Sequence, residues 1–194
     1  MELRKTNNVI KRDFLNRWVP KGSRVLDVGC GQGGDIHKWK HLEVSLVGVD
    51  PNSCAIEEAK RRASGYGSFS VGDIESAPLE HFDVICYNFS IQYQPITLIP
   101  EIVRRLRPNG LLIGITTDSS RLNNARENGI QLMPVDPDHI SVYIPDTPYY
   151  ANGPVVEPIL SKSRFIRSAS EHGFELVSWD PFSIYAKFVF RYKA

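Results

Sequence analysis

The stretch Arg24 to Lys40, RVLDVGCGQGGDIHKWK, places an acid and four glycines within a few residues: Asp27, then Gly29, Gly31, Gly33 and Gly34. A short apolar run precedes the glycines, and a segment able to begin a helix at Asp35 follows them. In this order of strand, glycine turn and helix, backbone rather than side chain meets a ligand. Glycine is required because a Cβ would block positive φ angles and close approach. The spacing Asp27-x-Gly29-x-Gly31-x-Gly33 is not the G-x-G-x-x-G that seats a pyrophosphate on a helix N-terminus. An acid two residues before the first glycine repels an anion and suits a cation or an amino group. A second apolar run ends on Asp50, 23 residues after Asp27, where a carboxylate can hold both ribose hydroxyls of an adenosine. S-adenosylmethionine (AdoMet) has this chemistry: a sulfonium, an ammonium and no phosphate. Asp73 and Ile74, after Phe69-Ser70-Val71, suit the adenine amino group and ring, although Asp73 reads equally well as a turn residue.

The elements that must hold these residues alternate between strand and helix, which predicts an α/β, Rossmann-like domain with helices on both faces of a mostly parallel sheet. Strands are expected at Val25–Val28, Val47–Asp50, Phe69–Val71, Phe82–Tyr87 and Leu111–Thr117. The pair Phe174–Trp179 and Ile184–Phe190 completes seven strands, the C-terminal one antiparallel. Helices are expected from a cap at Asn8 to Trp18, at Asp35–His41, Ala55–Ala63, Ile96–Leu106 (stopped by Pro108-Asn109-Gly110) and Ser163–His172. Residues 118–160 carry six prolines and the least regular pattern, with one short strand near Ser141–Ile144. An insertion after the fifth strand lies at the ligand end of such a sheet, and Tyr143, Tyr149 and Tyr150 argue that it packs there. The whole chain, 1–194, reads as a single domain with a substrate-side insertion at about 118–160.

Composition narrows the setting. With 42% hydrophobic and 23% charged residues the chain is an ordinary globular one, and its net charge of +1 requires any nucleic-acid contact to come from a local patch. Cys30, Cys54 and Cys86 lie too far apart for metal-ligand pairs, so no metal is expected, and an odd count without C-x-x-C suits a reducing compartment. The sequence lacks an 18-residue apolar run and a signal peptide, which implies an intracellular protein without a membrane partner.

The longer string Gly29-Cys30-Gly31-Gln32-Gly33-Gly34-Asp35-Ile36-His37-Lys38-Trp39-Lys40 resembles the signature of the mRNA cap guanine-N7 methyltransferases, GCGKGGDLLKWK, within the class I AdoMet-dependent methyltransferases. Ten of twelve positions are identical or conservatively replaced; Gln32 stands for the family lysine and His37 for an aliphatic or polar residue. Asn7-Asn8-Val9-Ile10-Lys11 is similar to NNW(I/V)K, and Asn88-Phe89-Ser90-Ile91-Gln92-Tyr93 to CQFxxHY with Asn88 for glutamine and Gln92 for histidine. Glu157 falls on the glutamate of V-P-E-[YF]-L-V, and Phe182-Ser183-Ile184-Tyr185 lies over F-x-E-F-Y.

The resemblance implies methyl transfer from AdoMet to guanine N7 of a GpppN-RNA cap. Lys11, Asp27, Gly29, Gly31, Asp50, Asp73, Ile74, Asn88, Phe89 and Tyr93 would bind the cofactor. Asn7, Asn8, Gln32, Phe89, Gln92, Tyr93, Glu157 and Tyr185 would bind the cap, with Glu157 and Tyr93 positioning the base and no general base needed. Arg61, Arg62, Lys38 and Lys40 are candidates for the triphosphate, solvated surface charge being the plainer reading of each. The resemblance also implies an RNA 5′ end as partner, with a guanylyltransferase domain or stimulatory subunit. The short chain is expected to be a compact version or a domain of a larger capping enzyme, located in the nucleus if cellular and in host cytoplasm if viral. Two other readings stay open: an AdoMet-dependent methyltransferase of a small metabolite or protein side chain, and a non-catalytic stimulatory subunit of the same fold.

Overall fold

The structure, a computed structural model, describes residues 2–124, 130–145 and 150–194; Tyr149 lies outside the described residues. Five strands follow the chain as β1 (Arg24–Val28), β2 (Ser45–Asp50), β3 (Ser68–Val71), β4 (Phe82–Asn88) and β5 (Leu106–Thr117). They alternate with α1 (Glu2–Trp18), α2 (Ile36–His41), α3 (Ser53–Ala63) and the short α4 (Ile99–Val103). A small sheet, β6 (Gln131–Asp136), β7 (His139–Tyr143) and β8 (Val155–Pro158), precedes α5 (Lys162–Glu171), β9 (Phe174–Phe182) and β10 (Tyr185–Tyr192). The main sheet has seven strands in the order β3-β2-β1-β4-β5-β10-β9, and β10 runs antiparallel to both of its neighbours.

Two apolar layers sandwich this sheet. Side chains alternate between its faces, so Val25, Val84, Ile113 and Val189 pack with Phe14 and Leu15 of α1, Trp39 of α2 and Ile56 of α3. Their neighbours Leu26, Ile85, Leu112 and Phe188 pack on the other face with Ile99 and Ile102 of α4 and Phe165 of α5. Central strands buried on both sides need near-continuous apolar sequence, which explains why β1, β2, β4 and β5 were legible.

Three expectations need correction. Asn8 is no cap: α1 already runs from Glu2, and Asn8 sits inside it. The helix expected at Ile96–Leu106 is a 3-10 turn at Ile96–Leu98 followed by α4, which ends at Val103. Pro100 is the cause, since a proline fits the first turn of a helix but not a helix already under way. Finally, residues 118–160 hold β6–β8, antiparallel throughout, with Ile140 opposite both Pro134 and Glu157. The inner row of this sheet, including Ile140 and Val142, joins the core layer beside Ile115 and Ile184, while Met133 and Val156 face outward.

Arg105 fastens the end of α4 to the β3–β4 connection. It is 1% exposed, its Nη1 lies 2.6 Å from Glu101 Oε2, and its Nη2 donates to the carbonyls of Glu75 (2.8 Å) and Ala77 (3.1 Å). Several acceptors, the buried Ala77 carbonyl among them, thus depend on one planar fork. Arg105→Ala is expected to lower unfolding stability by about 2–4 kcal/mol, and Arg105→Lys to recover less than half, because one ammonium cannot replace the fork. Chemical denaturation of the two variants checks this; full recovery by lysine would show that charge alone matters.

Candidate active site

The C-terminal ends of β1, β2 and β4 and the turn after β3 open on one edge of the sheet, and a cavity of about 410 Å³ lies there. Its donor-side wall is Val28, Gly29, Asp50, Pro51, Gly72 and Asp73. Gly29 takes φ +75°, and a Cβ on it would stand 2.4 Å from Ser90 Cβ, so the loop reaches β4 only as glycine. Both oxygens of Asp50 are oriented by backbone: Gly31 N donates to Oδ2 (2.8 Å) and Asn52 N to Oδ1 (2.9 Å). Gly31 itself sits at φ +54°. Asp73 lines the cavity and also caps its own turn, with Oδ1 accepting from Glu75 N at 3.0 Å. Ile74 is different: it is fully buried in the core layer that includes Val28 and Val49 and is not on the cavity wall.

Behind that wall lies a buried ionic cluster. Asp35 Oδ2 is 2.8 Å from Lys11 Nζ and 3.3 Å from Asn88 Nδ2, and its Oδ1 is 2.8 Å from Lys38 Nζ. Burial pushes the Asp35 carboxyl up, but the charges of Lys11 and Lys38 outweigh this and hold it below its ordinary value. Asp27 stands beside the cluster, its Oδ2 accepting from Trp39 Nε1 at 2.9 Å. Burial, and then the charge of Asp35, push its carboxyl up to about 7, against the pull of Trp39 and Lys11. Lys11 and Asp27 therefore back the wall rather than form it. Asn88 Oδ1 is buried without a partner among the described residues, an acceptor left unsatisfied behind the wall.

The opposite wall carries Asn7, Phe89, Gln92, Tyr93, Tyr150, Glu157 and Tyr185. Phe89 sits at φ +62°, unusual for an aromatic residue. It is held there because its N donates to Ile115 O (2.7 Å) and its O accepts from Gln92 Nε2 (3.2 Å). Gln92 is fixed in turn by Thr116 Oγ1, which donates to its Oε1 at 3.4 Å. The Phe89 ring meets Tyr185 edge-on with centroids 5.0 Å apart. Tyr93 is half exposed. Glu157, 7% exposed on β8, accepts from Tyr150 Oη at 2.6 Å. Burial pushes its carboxyl up and the tyrosine opposes this. Burial, and then the charge of Glu157, likewise push the Tyr185 hydroxyl up, so it stays neutral.

The remaining expected contacts lie elsewhere. Asn8 Oδ1 turns to Lys38 (3.4 Å), and exposed Gln32 meets Arg62 at 3.5 Å. The four cations considered for a phosphate bridge are engaged: Lys38 with Asp35, Lys40 with Ala63 O (3.0 Å), and Arg61 and Arg62 with Glu58. Among the described residues the cavity is lined by Asp50, Asp73 and Glu157 but by no lysine or arginine. Sequence reasoning missed Tyr150 as a site residue, since nothing local marks it. It also took Asp35 only as a helix start, although the acid stands inside the most specific string of the chain.

A family described as a methyltransferase domain matches residues 25–110. The chain is 28% identical, over 90% of its length, to an mRNA cap guanine-N(7) methyltransferase of Cryptococcus neoformans var. neoformans serotype D. It is 27% identical over 52% of its length to a carboxy-S-adenosyl-L-methionine synthase of Actinobacillus pleuropneumoniae serotype 5b. It spans only 35% and 47% of those two relatives. A crystal structure of a Pyrococcus horikoshii OT3 protein superposes with a TM-score of 0.78 at 21% identity, covering 100% of this chain and 92% of that one.

The raised carboxyl of Asp27 gives a stability test. In the folded chain Asp27 keeps its proton up to about pH 7, whereas unfolded it loses it near 3.8, so its contribution is full below pH 3.8 and is lost as pH rises to about 7. Asp27→Asn keeps an acceptor for Trp39 and cannot ionise. Its stability advantage over the parent should grow from pH 4 to 7, on the order of 4 kcal/mol at most, and then level off. Thermal or denaturant unfolding across that range measures it, and parallel profiles would contradict it.

Proposed function

We propose that this chain, which carries the Rossmann-like methyltransferase fold and takes S-adenosylmethionine, transfers a methyl group to guanine N7 of an mRNA 5′ cap. The observation that carries this reading is Glu157. A buried carboxylate shares one cavity with four aromatic side chains, Phe89, Tyr93, Tyr150 and Tyr185, and with the acids at the end of β2 and just after β3. The likeness to a cap guanine-N(7) methyltransferase along 90% of the chain supports it.

The residues present fit the cofactor. The donor-side wall is rich in acceptors, with Asp50 held rigidly by backbone and the orphaned Asn88 Oδ1 behind it, and it has no cation for a pyrophosphate. Asp50 suits ribose hydroxyls, Asp73 an adenine amino group, and Asn88 Oδ1 an ammonium group, whose positive charge would favour the ionised form of Asp27. When bound, AdoMet supplies an electrophilic methyl on a positively charged sulfur.

Guanine N7 has a lone pair and no proton to lose, so none of these side chains needs to act as a base; their task is alignment and field. Glu157 accepts hydrogen bonds from guanine N1–H and the exocyclic amine, a pair of donors that no other base presents together. Phe89, Tyr93 and Tyr185 wall the ring. The ring gains positive charge as the methyl moves, and the carboxylate and aromatic faces favour that change.

One observation favours a second reading, a small acceptor without a phosphate bridge: no lysine or arginine lines the cavity among the described residues. Labelled transfer from AdoMet to GpppA- and GpppG-capped RNA separates the two, with uncapped and N7-methylated RNA as controls. The expected outcome is label on the unmethylated cap alone, falling about a hundredfold or more in Glu157→Ala, because two hydrogen bonds to a charged group are lost. Donor binding without label on any cap would overturn the cap reading for this chain.

A further inference from the structure

Glu157 is a carboxylate placed where a carboxylate should not persist. Its neighbour across the strand is Ile140, and Ile115, Val142 and Ile184 belong to the same apolar layer. The titratable groups facing the cavity with it are Tyr150 from the β7–β8 connection, Tyr185 of β10, Tyr93 from the turn after β4, and Asp50 and Asp73 from the donor side. None of them is cationic. A buried carboxylate in such company either binds a proton or finds a donor. Among the described residues the Tyr150 hydroxyl, at 2.6 Å from Oε1, is the one hydrogen bond the Glu157 side chain accepts.

Tyr150 is itself well seated for that task. It is 8% exposed, and its ring meets Tyr143 of β7 edge-on with centroids 6.5 Å apart. Removing the hydroxyl would therefore leave the ring's packing in place. Resting on the reading of Glu157 as the guanine-reading group, we infer that Tyr150 is a positioning residue for acceptor recognition. Its hydroxyl fixes the Glu157 side chain and occupies one lone pair of Oε1, leaving Oε2 and the other lone pair for two adjacent N–H donors. Without it, Glu157 takes up a proton at a higher pH, and a protonated acid offers a donor where the acceptor needs an acceptor.

Tyr150→Phe tests this with two readouts. In steady-state transfer to capped RNA, the KM for the acceptor should rise about tenfold, as expected for one lost hydrogen bond to a charged group, while the effect on kcat stays small. The acid limb of kcat/KM should move to higher pH, and AdoMet affinity by calorimetry should match the parent. In a Glu157→Gln background the same change should add nothing further. The second readout needs no acceptor. Glutamate carboxyl carbons labelled with carbon-13 are titrated by NMR, with Glu157→Gln assigning the signal, and the Glu157 midpoint should rise in Tyr150→Phe. An unmoved midpoint in a variant that melts like the parent would overturn the inference whatever the substrate proves to be. A raised midpoint with no transfer to any cap would leave Tyr150 in its role and remove the cap reading instead.

Discussion

The carboxylate of Asp35 is the constraint on which the rest of the site depends. It joins Lys11 of α1, Lys38 of α2 and Asn88 at the tip of β4, three elements that otherwise meet through apolar packing. Burying one acid with two ammonium groups is tolerable only because each charge has a partner at hydrogen-bond distance. Take away the acid, and two cations lose the carboxylate that pairs with both of them. The ion cluster thus docks α1, with Asn7 on the cavity wall, and sets the strand end from which Phe89 enters its left-handed conformation. Asp27 lies beside the cluster on β1: burial first, and then the charge of Asp35, raise its carboxyl, while Lys11 pulls the other way.

The acceptor half is built on a different principle. Apart from Asn7, Phe89, Gln92 and Tyr93, its residues come from β8, the β7–β8 connection and β10, so it exists only once segments far apart in sequence have come together. Its polarity runs against its surroundings: one carboxylate in an apolar row. A charge kept at such a position weakens packing without helping it.

This contrast explains how far the sequence could be read. Strands β1, β2, β4 and β5 are buried on both faces, and their apolar runs show it; the glycine loop declares itself because each positive φ demands a residue type. Asp50 and Asp73 were legible as acids at strand tips, and both line the cavity. Lys11 and Lys38 were not legible as a pair sharing Asp35, because an ion cluster between a helix, a loop and a strand leaves no periodic trace. The hairpin β6–β7 was hidden by Pro134 and by an exposed outer row including Met133 and Val135, both of which blur alternation. Tyr150 reaches Glu157 from seven residues before it, a spacing with no local meaning.

The placement of β10 has a consequence for how the chain comes to be folded. It lies between β5 and β9, although both are synthesised before it. Until β10 has formed, β9 has no hydrogen-bonded neighbour in the sheet, and β5 presents a bare edge along Leu111–Thr117. Phe188 and Phe190, which close the layer around Phe165, arrive with the same strand. A nascent chain therefore exposes an unpaired, strongly apolar strand edge until nearly all of this sequence has left the ribosome, a period in which chaperone shielding rather than intrinsic stability decides its fate.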